Sequence, residues 1–440
     1  MSMRTRHFIS VLLVLFSIPA FAAGDLGLPV AEPESVGMSS KKLDMLPKSL
    51  GSYVDKGQIA GVVSVVARDG KIVHFEAIGK RDVERDLPMQ KDTIFRMYSM
   101  TKPVTGTAVM ILVDEGKLKV TDEVSKYLPE FSDMTVMEVA EDGTTKIVPA
   151  KTPITIEHLL MHTSGLIYGI FDGGPLGEMY NANKIDTDGA SGQSLEEFSK
   201  AVAKMPLKAE PGTAWHYSVA MDVLGRVVEV IAGQRFGDFM EERIFEPLKM
   251  TDAGFMVPAD KVDRFAANYG PLDGGMTLID DPKTSRYLNE PSLDSGGGGM
   301  VSTASDYLRF AQMLVNGGEL DGVRILSEEA VREMTSDHLG PEFGESPLST
   351  LGVFPFGGIG FGYTGAVVKE GTKQSIFGSE GVYTWSGYAN TDFWIDPSEK
   401  IVGMVLTQLV PAGTYPTRIV MQNGANGAIV ESYKAEKPGP

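Results

Sequence analysis

The chain has 440 residues, 42% of them hydrophobic, and a formal net charge of −18 at pH 7. This length allows one large domain or two ordinary ones with a substantial hydrophobic core. The acidic balance argues against nucleic acid and anionic membrane surfaces as partners, because both attract clustered lysine and arginine. Cysteine is absent, which excludes disulfides and a lipid-modified cysteine anchor.

The N-terminus, residues 1–22, has the pattern of a secretory signal peptide. Arg4 and Arg6 precede an apolar run over 8–21, and an A-x-A cleavage pattern ends at Ala22. The run is short for a bilayer span, although an uncleaved membrane anchor is the alternative. We therefore expect a soluble mature protein, periplasmic or secreted, with no stable membrane anchor after cleavage.

Strands are predicted at both ends of the chain, and helices between them. A helical pattern over 39–56 is followed by two β-rich runs, 61–68 and 71–77, around Asp69-Gly70, which predicts an antiparallel hairpin. Further helices are predicted over 99–115, 155–162, 194–204, 218–232, 236–245 and 303–315. Gly-rich loops are predicted over 165–193 and 268–300, and C-terminal strands over 360–368, 381–389, 392–395 and 401–407, with a closing helix over 417–434.

This order predicts an α/β (α+β) fold, in which one antiparallel sheet built from both chain ends is flanked by helices and carries an inserted all-helical domain. The sheet domain would comprise 23–95 and 301–440. The mainly helical domain, with long active-site loops, would comprise 96–300.

Two S-x-x-K tetrapeptides, starting at Ser99 and Ser39, place a hydroxyl and an amine one helical turn apart. A lysine in this position can activate a serine nucleophile without a histidine. Pro103 favours the first tetrapeptide, because proline is tolerated in the first turn of a helix, so the helix should begin near Ser99. Ser99 would then lie at the positive helix end, where an oxyanion is stabilised. Ser39 is explained as a helix N-cap.

Two later segments contain further candidates. Tyr217 directly precedes a predicted helix; a tyrosine near a lysine cation is more easily ionised and can then accept a proton from serine, although a packing role is the alternative. Trp385 and Gly387 lie on a predicted strand, where a glycine often marks close approach by a ligand. Taken alone, Trp385 is more simply a packing residue.

Together these segments resemble the serine β-lactamase and penicillin-binding-protein superfamily, and most closely the family VIII carboxylesterases, which are esterases on the β-lactamase fold. The family pattern is S-x-x-K, a tyrosine in Y-S-x-A-x-D-x-L-G, and W-x-G. Here these are Ser99/Lys102, Tyr217 and Trp385/Gly387, in that order. The resemblance covers nearly the whole mature chain, from 32–37 through 160–165 and 295–300 to 393–396.

The resemblance implies a role for each matching residue. Ser99 would accept the acyl group, while Lys102 and Tyr217 would share the general-base work and later activate water. The backbone N–H groups of Ser99 and Tyr388 would form the oxyanion hole, and Trp385 would line the acyl or leaving-group pocket. Neither a metal nor a cofactor is expected, and the expected partner is a small-molecule ester.

The sequence departs from class C β-lactamases where those enzymes bind the lactam amide and carboxylate. Their Y-x-N asparagine is Val219 here, and their K-T-G lysine and threonine correspond to Trp385 and Ser386. We therefore expect a secreted serine hydrolase that cleaves carboxylic esters with short acyl chains. A class C-like β-lactamase or D-amino-acid peptidase is the alternative, and a non-catalytic envelope-binding protein is a second.

Three other signatures are set aside. The G-x-G-x-x-G pattern over 360–365 needs a helix after it to bind a dinucleotide, and a strand-like run follows instead. His158 and His162 have the spacing of a zinc pair but lack the H-E-x-x-H glutamate, so a core or capping role is favoured. The absence of G-x-S-x-G excludes the α/β-hydrolase class.

Overall fold

The computed structural model describes residues 26–185, 192–344, 348, 357–369, 372 and 378–434. The predicted signal peptide, 1–22, lies outside the described residues. Within the described ranges, none of the helices combines the length and the apolarity that crossing a bilayer requires.

The helices and strands are numbered in chain order. The α-helices are α1 Ser40–Leu43, α2 Met45–Asp55, α3 Thr101–Asp114, α4 Ile156–Leu160, α5 Pro175–Ala182, α6 Leu195–Val202, α7 Ala220–Ala232, α8 Phe236–Met240, α9 Ala304–Val315, α10 Glu328–Thr335 and α11 Thr417–Gly427. The strands are β1 Gly61–Arg68, β2 Lys71–Asp82, β3 Leu87–Pro88, β4 Phe95–Arg96, β5 Thr135–Val139, β6 Thr145–Pro149, β7 Asn268–Leu272, β8 Gly275–Asp280, β9 Val301–Ser302, β10 Glu319–Leu320, β11 Val323–Arg324, β12 Ile359–Phe361, β13 Ala366–Val368, β14 Tyr383–Gly387, β15 Thr391–Asp396 and β16 Ile401–Leu406.

One large antiparallel sheet joins the two ends of the chain in the order β12-β13-β14-β15-β16-β1-β2-β3. The β1–β2 hairpin turns at Asp69 and Gly70, both with positive φ, as the Asp-Gly signal predicts. Strand β1 lies between β16 and β2 and is buried along its whole length. Its nearly continuous apolar sequence therefore fits a strand covered on both faces.

Helices cover this sheet and fill the space beside it. Helices α2 and α11 pack together near β1, β2 and β16, while α9 packs against β15, β16 and β1. Helix α3 is buried from Thr101 to Leu112 and contacts α7, α8 and α10. A helix buried on all sides needs such a surrounding shell. The predicted α/β class, with one antiparallel sheet flanked by helices, is confirmed, whereas the division into two domains stays a prediction. The expectation that the inserted part is all-helical is wrong, because hairpins β5–β6 and β7–β8 lie within 96–300.

The two ends of the described chain meet at the sheet through Arg68. Its guanidinium is fully buried, pairs with Glu399 at 2.6 Å and donates to the Glu431 carbonyl at 2.8 Å. It also donates to the carbonyls of Val36 and Gly37. The Gly37 carbonyl in turn accepts from the Val430 N–H at 2.9 Å, which closes the chain ends on each other.

Several predicted elements differ in detail from the structure. The predicted helix over 39–56 is broken at Asp44, and the Ser39 side chain makes no capping hydrogen bond. The predicted strand over 360–368 is two short strands, and the closing helix ends at Gly427. The loop over 165–193 contains α5.

The loop predicted over 268–300 also contains a hairpin, β7–β8. It turns at Asp273-Gly274, the same dipeptide signal that predicts the β1–β2 hairpin. The two flanking strands are short and of mixed burial, and their sequences do not alternate clearly between apolar and polar residues. The hairpin is therefore hard to recognise from the sequence.

Candidate active site

Ser99 lies in a short 3₁₀ turn, Tyr98–Met100, that runs directly into α3. The predicted helix start is therefore confirmed to within two residues, with Pro103 in the first turn. Tyr98 has φ +46°, in the left-handed region that side chains other than glycine rarely adopt. Such strained positions are concentrated at functional sites, where surrounding contacts must hold them.

Lys102 places its amine beside the Ser99 hydroxyl. Its Nζ lies 3.0 Å from Ser99 Oγ and donates to the Gly297 carbonyl at 2.6 Å. The side chain is completely buried, and this burial lowers the pKa of Lys102 to about 7, with the Asp222 carboxylate opposing the shift. Desolvation disfavours the ammonium form, so a neutral amine is accessible near neutral pH.

Tyr217 completes the arrangement from the opposite side of Ser99. Its hydroxyl donates to Ser99 Oγ at 2.6 Å, and its ring lies 4.6 Å from Lys102 Nζ. Burial raises the pKa of Tyr217, and its hydrogen bonds with Ser99 and Trp385 only partly oppose this shift. The expectation that the lysine cation eases ionisation is therefore wrong, because the same burial disfavours both charged forms.

The glycine-rich segment after β8 positions the lysine amine. Asp222, buried in the first turn of α7, accepts from the Ser295 hydroxyl at 2.6 Å and from the Gly297 N–H at 3.1 Å. These bonds hold the Gly297 carbonyl that accepts from Lys102. A Cβ at Gly297 would lie only 2.5 Å from Asp222 Oδ2, so only glycine fits. Asp222 and Gly297 both lie within the motifs of the sequence, but the sequence alone gives no role for either residue.

Gly387 lets β14 approach the segment that precedes Ser99. A Cβ there would lie 2.2 Å from the Met97 carbonyl oxygen and 2.1 Å from Thr391 Oγ1. The close approach is made by the chain's own backbone, whereas the sequence interpretation expected a ligand. Tyr388 follows immediately, and its ring packs edge-on against Tyr98 with centroids 6.0 Å apart.

Trp385 is buried against the catalytic tyrosine candidate. Its ring lies 5.6 Å from Tyr217 and 5.3 Å from Phe361. The structure thus brings Trp385, Gly387 and Tyr388 close to the Ser99 turn, and their substrate-binding and oxyanion roles stay predictions.

The two positions that depart from class C β-lactamases offer little to a polar substrate. Val219 is completely buried at the start of α7. The Ser386 hydroxyl accepts from the Arg418 guanidinium at 2.9 Å. Successive strand residues point to opposite faces, so Ser386 faces away from the Trp385–Tyr217 contact.

An exposed apolar edge lies beside Tyr217. Ile170 and Phe171 are 75% and 56% exposed, and the Phe171 ring is stacked near Tyr217 with centroids 6.3 Å apart. Exposed apolar side chains such as these can take part in the binding of apolar groups.

The two histidines with zinc-like spacing have structural contacts. His158 takes part in the capping box of α4 with Thr155. His162 is completely buried, and its Nδ1 hydrogen bonds the Ser218 hydroxyl at 3.0 Å. The predicted core and capping roles are confirmed. The G-x-G-x-x-G segment joins two strands, β12 and β13, as its strand-like continuation predicts.

Comparison with known proteins identifies the family of this chain. The Beta-lactamase family model matches residues 47–419. Esterase EstB of Burkholderia gladioli is 32% identical over 81% of this chain and 88% of its own length. The solved structure of EstCE1, a hydrolase with promiscuous acyltransferase activity, is 28% identical with a TM-score of 0.73, over 89% of this chain and 99% of EstCE1.

A family VIII carboxylesterase structure has the same fold, with a TM-score of 0.66 and 19% identity, over 89% of this chain and 99% of that chain. A serine held between a lysine and a tyrosine on this fold defines a serine hydrolase of the S-x-x-K class. The chain belongs to the Beta-lactamase family, and it is an enzyme related to the esterases of that family.

Proposed function

We propose that this protein is a secreted serine esterase that cleaves carboxylic esters with short acyl chains through an acyl-enzyme on Ser99. One observation carries the proposal: Ser99 Oγ lies 3.0 Å from the Lys102 amine and 2.6 Å from the Tyr217 hydroxyl. Both distances are within reach for proton transfer.

In acylation, the Ser99 hydroxyl gives its proton to the neutral Lys102 amine as its oxygen attacks the ester carbonyl carbon. The carbonyl electron pair moves onto oxygen, and the N–H groups of Ser99 and Tyr388 stabilise the oxyanion. As the oxyanion collapses, the bond to the alcohol oxygen breaks. The proton passes from the Lys102 ammonium through the Tyr217 hydroxyl to the departing alkoxide, which leaves a neutral amine and an acyl-serine.

In deacylation, a water molecule takes the place of the alcohol. It loses a proton to the same Lys102–Tyr217 pair as its oxygen attacks the acyl carbon. The bond between the acyl carbon and Ser99 Oγ then breaks, the proton returns to Ser99 Oγ, and the carboxylic acid leaves. The neutral phenol of Tyr217 suits this proton-relay role, since burial raises its pKa.

The surroundings of Ser99 support an apolar ester as substrate. Ile170 and Phe171 offer exposed apolar surface near Tyr217, and burying each CH₂ of an acyl chain stabilises the complex by about 0.8 kcal/mol. Lys102 hydrogen bonds Ser99, but its role as a base requires the neutral amine, so it does not supply a positive charge for a substrate carboxylate. A short chain is proposed because the buried Trp385 lies against Tyr217, within the site.

The first test separates the two S-x-x-K tetrapeptides. We expect Ser99→Ala to abolish hydrolysis of p-nitrophenyl acetate and labelling by a fluorophosphonate, because the nucleophile is lost. Ser39→Ala is the matched control, since Lys42 Nζ donates to the Gly427 carbonyl at 2.8 Å and has a structural role. Mass spectrometry should find the label on Ser99. Equal losses in two folded variants would overturn the assignment.

The second test concerns pH. The amine must be neutral to accept a proton, so kcat/KM should fall as the pH is lowered through the Lys102 pKa, with a half-maximal value near pH 7. His162 does not compete for this assignment, because burial holds its pKa well below 6.5. The measurement is a pH profile of kcat/KM at several ionic strengths. Full activity maintained at pH 5 would contradict the role of a neutral Lys102.

The third test compares an ester with a β-lactam. The ester and the β-lactam both need Ser99 and an oxyanion hole. At the positions that bind the lactam carboxylate and amide in class C enzymes, however, this chain has Val219 and Trp385. Losing one charge-assisted hydrogen bond costs about 1.5–3 kcal/mol. We therefore expect kcat/KM for a short p-nitrophenyl ester to exceed that for nitrocefin by about 10²-fold or more. Equal efficiency on nitrocefin would favour the β-lactamase alternative.

The fourth test concerns export, which we propose from the signal-like residues 1–22. Expression of the full chain in a Gram-negative host should yield a product whose N-terminus is Ala23, found in the periplasm or the medium. Intact mass measurement and fractionation give the answer, with a variant carrying Leu12→Arg and Leu13→Arg as the export-deficient control. A full-length product retained in the cytoplasm would contradict the proposal.

A further inference from the structure

A buried histidine outside the catalytic group stands in an uncommon backbone conformation. His162 follows α4 with φ +57° and is completely buried. Few residues with a Cβ adopt the left-handed region, although asparagine, aspartate and histidine are enriched there. The conformation is therefore also open to a smaller residue such as asparagine, and what distinguishes histidine is the set of contacts that its ring makes.

The contacts of His162 converge on one residue, Tyr217. The His162 carbonyl accepts from the His216 N–H at 2.8 Å, and the His162 Nδ1 hydrogen bonds the Ser218 hydroxyl at 3.0 Å. The imidazole ring itself packs against the Tyr217 ring, with centroids 4.9 Å apart. One residue therefore holds both chain neighbours of Tyr217 and one face of its ring.

We propose that His162 is a positioning residue for the Tyr217 hydroxyl, and that it keeps this hydroxyl within hydrogen-bond reach of Ser99. The inference rests on the proton-relay role proposed for Tyr217. His162 has no hydrogen bond to Ser99 or Lys102, so it would act only through Tyr217. Tyr217 stands just before α7, where the α7 helical bonds do not fix it.

The alternative is that His162 only fills the core, since Trp215 and Phe361 also pack against its ring at 6.0 and 5.7 Å. The two roles differ in what a substitution changes. Loss of packing lowers stability, whereas loss of positioning lowers kcat and does so only while the Tyr217 hydroxyl is present. A misplacement of about 1 Å can reduce a rate by about 10²-fold.

The test is a double-mutant cycle on the full chain with p-nitrophenyl acetate. We expect His162→Ala to lower kcat by about 10- to 100-fold with KM changed by less than about twofold. In the Tyr217→Phe background, the same change should alter kcat by less than about threefold, because residues acting as a unit are non-additive. His162→Asn tolerates a positive φ and keeps a polar atom towards Ser218, so it should restore part of the lost kcat.

His74→Ala is the matched control. His74 is also a buried histidine bonded to a serine, Ser64, at 2.8 Å, but it lies on β2. This variant should lower stability and leave kcat unchanged. Should His162→Ala fail to fold, Ser218→Ala keeps the His162 ring and removes its hydrogen bond, together with the 3.4 Å bond that the Ser218 hydroxyl accepts from the Ala220 N–H. The smaller kcat loss of this variant should likewise disappear in the Tyr217→Phe background.

The outcomes separate this inference from the proposed function. If Tyr217→Phe alone leaves kcat unchanged, then the proton-relay role of Tyr217 is wrong. If Tyr217→Phe lowers kcat but the His162 loss is equal in both backgrounds, then His162 is a core residue and only the positioning role is overturned. We expect the acid limb of the kcat/KM pH profile to lie at the same pH in His162→Ala as in the unchanged protein. His162 is neutral, and the titrating group that faces it, Lys102, keeps its contacts.

Discussion

The burial of the Lys102 amine is the constraint on which the other features of the site depend. An ammonium group removed from water is disfavoured, and the pKa of Lys102 falls because its side chain has no exposed surface. The amine still keeps two hydrogen-bond partners, Ser99 Oγ and the Gly297 carbonyl. A lysine can then act near neutral pH as histidine does in other serine hydrolases.

The burial of Lys102 follows from the position of α3, which is buried from Thr101 to Leu112. The helix that carries Lys102 is enclosed by α7, α8 and α10, with a loop from the glycine-rich segment closing over the amine. The same enclosure keeps the Tyr217 phenol protonated. Burial thus disfavours the charged form of both groups, and it moves the two pKa values in opposite directions.

The parts of the structure that the sequence predicted are those fixed by local chemistry. Pro103 marks the start of α3, and Asp69-Gly70 marks the first hairpin. Each of these signals works within a few residues and needs no knowledge of distant neighbours.

The parts that the sequence did not predict depend on contacts between distant segments. Asp222 matters because it reaches Gly297, and Gly387 matters because the Met97 backbone comes close to it. The ionisation of Tyr217 was predicted in the wrong direction because proximity to lysine is visible in a motif, while burial is a property of the folded chain. The break at Asp44 does have a local signal, because Pro47 lies in the first turn of α2 and could not stand inside one longer helix.

The meeting of the chain ends at Arg68 has a topological consequence. Met38 and Ile429 form a β-bridge, and the Gly37 carbonyl accepts from the Val430 N–H, so the described chain is close to a ring that lacks one covalent connection. In such a fold the position of the ends is not imposed by the core. A short linker across this junction and a new opening at an exposed tip, such as Asp142-Gly143 between β5 and β6, would preserve the sheet order and leave Ser99, Lys102 and Tyr217 in one continuous enclosure.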